Sequence, residues 1–163
     1  MLTYFFAFIY LCLILRLSWI DWRTGLLPNS LTCPFLWCGM LFQLLCAPEF
    51  LNSAVWGAIG GYLFLYLVYW CYRALCKHEG LGYGDVKLFA ALGAWHGWQA
   101  LTGLLLIASA GGLVASLLYG PLTRRGFTIK NPLPFGPFLA AAGLISVGVS
   151  YYPPIRTLLM PLL

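Results

Sequence analysis

The sequence predicts an all-α, polytopic integral membrane bundle of about six transmembrane helices, and three observations carry that expectation. Hydrophobic residues make up 62% of the 163 and charged residues only 8%, against about 25% charged in soluble domains. So little charge cannot cover a globule in water. The apolar runs are long enough to span a bilayer and show no sustained alternation, which favours helices over a β-barrel. The basic residues fall between those runs, as they do in cytoplasmic loops. The length suits one membrane-embedded domain, residues 1–163.

The first apolar run, Leu2 to Ile20, has no charge before Arg16 and ends in bulky residues. It reads as a retained helix rather than a cleaved signal peptide. "DWRTGLLPNS" (21–30) then supplies the breakers Gly25, Pro28 and Asn29. The second run is Leu31 to Ala47, and "PEFLN" is a short connection to the third, from about Ser53 to Tyr72. Gly57, Gly60 and Gly61 inside the third run are expected to let helices approach closely in lipid. "RALCKHEGLGYGD" (73–85) is the longest polar stretch before the next span.

From Val86 to Tyr119 the chain is apolar for 34 residues, interrupted only at "HGWQ" (96–99). One span needs about 20 residues. Two spans there place Arg16, Arg23, Arg73, Lys77, Lys87, Arg124, Arg125 and Lys130 on one side and Arg156 alone on the other. A single span would move Arg124, Arg125 and Lys130 across and weaken the bias. The six-helix reading therefore puts the N-terminus in the periplasm and the basic loops in the cytoplasm. The last run is about Phe138 to Tyr152.

The net charge of +5 does not imply nucleic acid, because the basic residues are scattered. Cytoplasmic loops facing anionic headgroups of the lipid bilayer account for them. None of the six cysteines forms a C-x-x-C pair, so they read as small residues buried in helices rather than metal ligands or disulfides. His78 reads as a solvated loop residue and His96 as an interfacial one. No metal and no cofactor are expected.

Only four residues are acidic: Asp21, Glu49, Glu79 and Asp85. The topology puts Asp21 at the end of helix 1 and Asp85 at the start of helix 4, at the same membrane face. Glu79 shares that face. Taken alone, Asp21 suits a turn or a pairing with Arg23, and Asp85 suits a helix N-terminus. Taken together, they offer chemistry. Two adjacent carboxylates do not both ionise easily, so they share a proton. The ionised member activates a water, and the protonated one polarises a carbonyl or protonates a leaving amine. Gly82 and Gly84 are expected to relax the backbone around Asp85. Lys87 either reaches the headgroups or biases a carboxylate toward its charged form.

At these residues the chain resembles a known family. "GYGD" (82–85) fits the GxGD signature of membrane-embedded aspartyl proteases, and "KHEGLGYGDVKLFAALGAWHGWQ" resembles the bacterial type IV prepilin leader peptidases. "DWRTGLLPNSLTCPFLWCGML" matches the form D-x5-L-P-x-x-L-T around that family's first aspartate, and "PFGPFLA" (134–140) resembles a third block. The resemblance implies an endopeptidase of the inner membrane that cuts the basic leader from type IV prepilins or type II secretion pseudopilins. Cleavage would follow a glycine at the cytoplasmic face, with Asp21 and Asp85 as the catalytic pair. Full-length members resemble this chain but add an N-terminal cytoplasmic domain with paired C-x-x-C motifs, linked to N-methylation. The sequence begins just before the first-aspartate helix, so peptidase activity is expected and methyltransferase activity is not. Asn29 stands where the family often has aspartate. The alternatives are another GxGD enzyme, such as a preflagellin peptidase, or a non-enzymatic membrane subunit using the aspartates as an ion relay.

Overall fold

A computed structural model describes residues 1–76, 82–119 and 134–151. The described elements are all helical: α1 (Leu2–Thr24), α2 (Asn29–Cys46), a 3-10 turn (Pro48–Phe50), α3 (Leu51–Cys76), α4 (Tyr83–His96), α5 (Leu101–Tyr119) and α6 (Gly136–Tyr151). The six expected helices are present in order. Four of them, α1, α2, α3 and α5, are long and apolar enough to cross a membrane, and α6 is a shorter apolar helix. This is a multi-pass membrane protein.

Local chemistry explains where the helices stop. Gly25 takes a left-handed conformation (φ 64°) after α1, and its N–H donates to the Asp21 carbonyl at 2.8 Å, a glycine termination that an L-residue adopts at a cost. Pro28 then caps α2 in extended backbone. The break between α4 and α5 falls at the expected "HGWQ". Gly97 has φ 78°, and the Trp98 N–H leaves the helix to donate to the Ser53 carbonyl at 3.2 Å.

Packing is arranged around α4, whose residues from Leu88 to Trp95 are all buried. A helix apolar on every side belongs at the centre of a bundle. Its neighbours are α2, α3, α5 and α6, with α1 closing the ring between α2 and α6. The closest approach is to α3. A Cβ on Gly57 would come 2.5 Å from the Gly93 carbonyl oxygen, and a Cβ on Gly61 would meet the Phe89 carbonyl oxygen at 3.3 Å. The glycine expectation holds for these two positions. Gly60 is different, with nothing within 4 Å of its would-be Cβ.

The outer surface is apolar, as lipid requires. Leu15, Leu41, Phe64 and Leu113 are among the large side chains on it. Trp19, Trp22 and Trp70 stand outward near one end and Trp56 and Trp98 near the other, the placement of interfacial aromatic belts. The cysteine expectation is corrected here: Cys12, Cys33 and Cys71 are exposed, and Cys38 and Cys46 are only partly buried. They face the surroundings of the bundle, where lipid replaces the core as their apolar medium.

Candidate active site

Three helix ends meet where α1 finishes and α4 and α6 begin. Asp21 lies in the last turn of α1 and is only 4% exposed, and Asp85 lies in the first turn of α4 at 6%. Burial of a carboxylate is costly unless it is partnered or put to use. The two groups are within Coulombic reach of each other. The sequence expectation that they share one end of the bundle is met.

Each carboxylate is held by backbone. The Gly136 N–H, at the first residue of α6, donates to Asp21 Oδ2 at 3.0 Å. The Gly82 N–H donates to the Asp85 carboxylate. Asp85 is thus the third residue after the Gly82 cap and reaches back to it, as in one half of a capping box. Both donors sit at helix N-termini, whose partial positive charge favours a nearby anion. The other oxygen, Asp85 Oδ1, is buried and has no hydrogen-bond partner among the described residues. Buried polar atoms almost always have one.

The glycines of the signature act through space rather than through unusual backbone. Gly82 has φ −67° and ψ 133°, a conformation open to any residue. A Cβ on Gly82 would meet Asp85 Oδ2 at 3.0 Å, and one on Gly84 would press on Leu27 Cβ at 2.8 Å. The expected backbone relaxation is therefore corrected to close packing. Leu27, from the loop after α1, is the buried piece that Gly84 admits. Gly136 is tighter still, since a Cβ there would lie 2.5 Å from Asp21 Oδ2. The "PFGPFLA" block is legible in the sequence, but the role of Gly136 within it is not. A glycine directly before Pro137 and two residues after Pro134, at a helix start, was the available signal.

The remaining expectations divide. Arg23 stacks over the Trp19 ring at 4.6 Å to the centroid rather than pairing with Asp21. The Lys87 ammonium donates to Asn29 Oδ1 at 2.7 Å and lies 4.8 Å from the Tyr83 ring centroid. It thus ties α4 to the start of α2. Glu79 and His78 lie outside the described residues. His96, at the end of α4, is partly buried and bonded within the bundle: Tyr10 Oη is 3.1 Å from its Nε2 and Ser146 Oγ is 3.4 Å from its Nδ1. Among the described residues no cluster of three or more His, Cys, Asp or Glu side chains could hold a metal ion.

The α3–α4 register also sets the depth of the site. Gly57 lies against Gly93 and Gly61 against Phe89, so the antiparallel register brings Leu65 level with Asp85. α3 continues from there to Cys76, about 16 Å further at 1.5 Å per residue. The carboxylates are therefore recessed beside an overhanging helix. That overhang carries Tyr69, whose ring centroid lies 5.8 Å from that of Tyr83.

Comparison with known proteins identifies the family. Residues 7–117 match the type IV leader peptidase family. Among similar curated proteins is leader peptidase HopD of Escherichia coli, 51% identical over 86% of this chain and 90% of its own length. HopD of Salmonella typhimurium is 48% identical over 91% of this chain and 95% of its own. A prepilin leader peptidase/N-methyltransferase of Escherichia coli K12 is 48% identical over 86% of this chain, which spans 61% of that longer protein. No solved structure matches. On these matches the chain belongs to the type IV leader peptidase family and is a protease.

Proposed function

We propose that the chain removes the leader peptide of type IV prepilins or of pseudopilins by water-mediated hydrolysis, with Asp21 and Asp85 as the catalytic pair. The observation that carries this reading is the burial of two carboxylates, Asp21 and Asp85, at one end of the bundle within Coulombic reach of each other, with no hydrogen-bond partner for Asp85 Oδ1 among the described residues. A site that only stabilised the fold would not bury two carboxylates within Coulombic reach of each other. The names of similar proteins supply the substrate class: leader peptidase, and prepilin leader peptidase.

The chemistry follows from two carboxyl groups sharing one proton. The ionised group takes a proton from a bound water as its oxygen attacks the scissile carbonyl carbon. The protonated group hydrogen-bonds the carbonyl oxygen, which becomes the second hydroxyl of a tetrahedral intermediate. Collapse of that intermediate breaks the C–N bond, and a carboxyl proton passes to the leaving amine. No covalent enzyme intermediate is formed. The titration belongs to the pair rather than to either residue.

The membrane is the bacterial inner membrane, with the N-terminus in the periplasm and the pair at the cytoplasmic side. Arg23, Arg73 and Lys87 at the same end of the bundle support that orientation. Cleavage after a glycine of the substrate belongs to the same reading.

Coexpression with a candidate prepilin, read as the mobility shift of leader loss, is the direct test. Asp21→Asn and Asp85→Asn should each lower cleavage by at least about 10²–10⁴-fold, the usual worth of a positioned acid or base, with the protein still in the membrane. If either variant cuts at the wild-type rate, the pair is not the catalytic centre.

A further inference from the structure

Asp21 and Asp85 stand on helices that are not direct neighbours. α1 packs on α2 and α6, and its backbone makes no extensive approach to α4 among the described residues. The two helices touch at the outer end, where the Tyr10 and Trp95 rings lie 4.9 Å apart. That contact is 11 residues from Asp21, about 16 Å along α1 at 1.5 Å per residue. At the inner end, the separation of the carboxyl groups depends on whatever piece touches both sides. The loop between α1 and α2 supplies one.

Leu27 follows Asp21 by six residues and is buried, and Gly84 directly precedes Asp85. The two are in tight contact. A Cβ on Gly84 would come 2.8 Å from Leu27 Cβ and 3.3 Å from both its Cδ1 and its backbone nitrogen. The main chain of the loop is therefore part of the contact. This loop is also anchored at both ends. Thr24 Oγ1 donates to the Ile20 carbonyl at 2.8 Å and accepts from the Leu26 N–H at 3.3 Å. The Pro28 carbonyl accepts from the Leu31 and Thr32 N–H groups, each at 3.1 Å. A short loop tied to two helices moves with them, so what Leu27 meets is felt at Asp21. Lys87 and Asn29 link the same two segments through an exposed bond, but exposed polar contacts hold weakly. Close packing in the interior transmits displacement.

We propose that Leu27 is a positioning residue of the peptidase: wedged on Gly84, it sets the distance between the Asp21 and Asp85 carboxyl groups. The inference rests on the peptidase reading above and adds the part that spaces its pair. The role requires bulk at 27 and none at 84.

Cleavage of a prepilin by the full chain in membranes, taken per folded molecule, gives the first readout. Leu27→Ala should lower kcat about 10–100-fold with KM within about threefold, since misplacing reacting groups by about 1 Å costs rate rather than binding. Leu27→Met keeps the volume and should stay within about threefold of wild type. A wild-type kcat in Leu27→Ala, or equal losses in both variants, would overturn the spacer. Gly84→Ala and Leu27→Gly should each lose kcat as well. Their combination moves the methyl from one side of the contact to the other, so it should cut faster than either single variant. Additive losses would show that the two positions act independently and count against the wedge.

The second readout needs no substrate. Asp21→Cys and Asp85→Cys are combined in a full chain whose native cysteines are replaced, and bridging by a short bis-methanethiosulfonate is measured in membranes. Leu27→Ala should change the bridging yield and Leu27→Met should not. An unchanged yield in Leu27→Ala overturns the spacer even where that variant is slow. If the wild-type chain cuts prepilin while bridging and kcat ignore Leu27, the spacer is wrong and the peptidase reading survives. If the wild-type chain cuts no leader-bearing substrate, the peptidase reading falls and bridging alone decides the spacer. Should Leu27→Ala not fold, Leu27→Val takes its place, with smaller changes expected in the same readouts.

Discussion

At the outer end of α4, His96 is bracketed by Tyr10 and Ser146, Gln43 Nε2 donates to the Trp95 carbonyl at 2.8 Å, and Trp95 Nε1 donates to the Phe35 carbonyl at 2.9 Å. At the inner end, 11 residues earlier on the same helix, Asp85 leaves one carboxylate oxygen without a partner among the described residues. Both ends bury polar groups, and the accounting differs. The outer end spends its polar atoms on binding α4 to α1, α2 and α6. The inner end leaves one atom unsatisfied beside a second carboxylate. A buried polar group with every bond made specifies packing, whereas one left open is available for chemistry. The comparison predicts that substitutions at the inner end change rate and those at the outer end change stability.

The largest effect expected tests the inner end from both sides. Asp85→Asn should abolish leader cleavage and leave the melting temperature in detergent unchanged or raised, because a costly buried carboxylate is removed. A variant that lost both activity and stability would make Asp85 a structural residue and erase the contrast. Gly136→Ala should come next. The added methyl would displace Asp21 or the start of α6, and a misplacement of about 1 Å can cost about 100-fold in rate. Steady-state cleavage of prepilin in membranes measures it. Activity within twofold of wild type would show that the α6 terminus does not position Asp21.

Effects on stability are smaller and belong to the centre and outer end. Gly93→Ala forces a methyl against the Gly57 backbone, and overpacking of this kind costs about 1–3 kcal/mol. Gln43→Leu leaves the Trp95 carbonyl without its donor, a loss of about 1–3 kcal/mol for an orphaned buried acceptor. Both should lower the melting temperature while kcat/KM of the folded fraction stays close to wild type. A specific loss of kcat in Gln43→Leu would show that the two ends are coupled through α4.

The same contrast explains what could be read from the sequence. The helices and the break at 96–99 were legible because lipid imposes length and apolarity on each span. Asp21 and Asp85 were legible as a pair because loop charges fix which ends lie together. The partners were not. His96 meets Tyr10 across 86 residues and Ser146 across 50, and Asp21 meets Gly136 across 115. No local pattern encodes such pairs. The cysteines were misplaced for a different reason. Lipid is as apolar as the interior, so composition alone does not separate a lipid-facing residue from a core one. Gly82 and Gly84 were singled out for backbone freedom. What they supply is the absence of a Cβ next to Asp85 and Leu27.

Lys87 provides the smallest and most discriminating prediction. It is two residues from Asp85, so the sequence allowed it to tune that carboxylate. In the structure its ammonium is committed to Asn29 Oδ1 and the Tyr83 ring, and α4 turns it about 200° away from Asp85 at roughly 100° per residue. Exposed polar contacts of this kind contribute little to stability. Lys87→Met keeps the apolar stem and removes the charge, so prepilin cleavage should stay within about threefold of wild type, below the roughly tenfold change that about 1.4 kcal/mol would produce. Asn29→Asp should be equally mild, since it converts the same contact into an ion pair. A tenfold or greater loss in Lys87→Met, restored by Lys87→Arg, would place the ammonium in the electrostatics of the catalytic pair. The inner end would then extend around α4 to the start of α2.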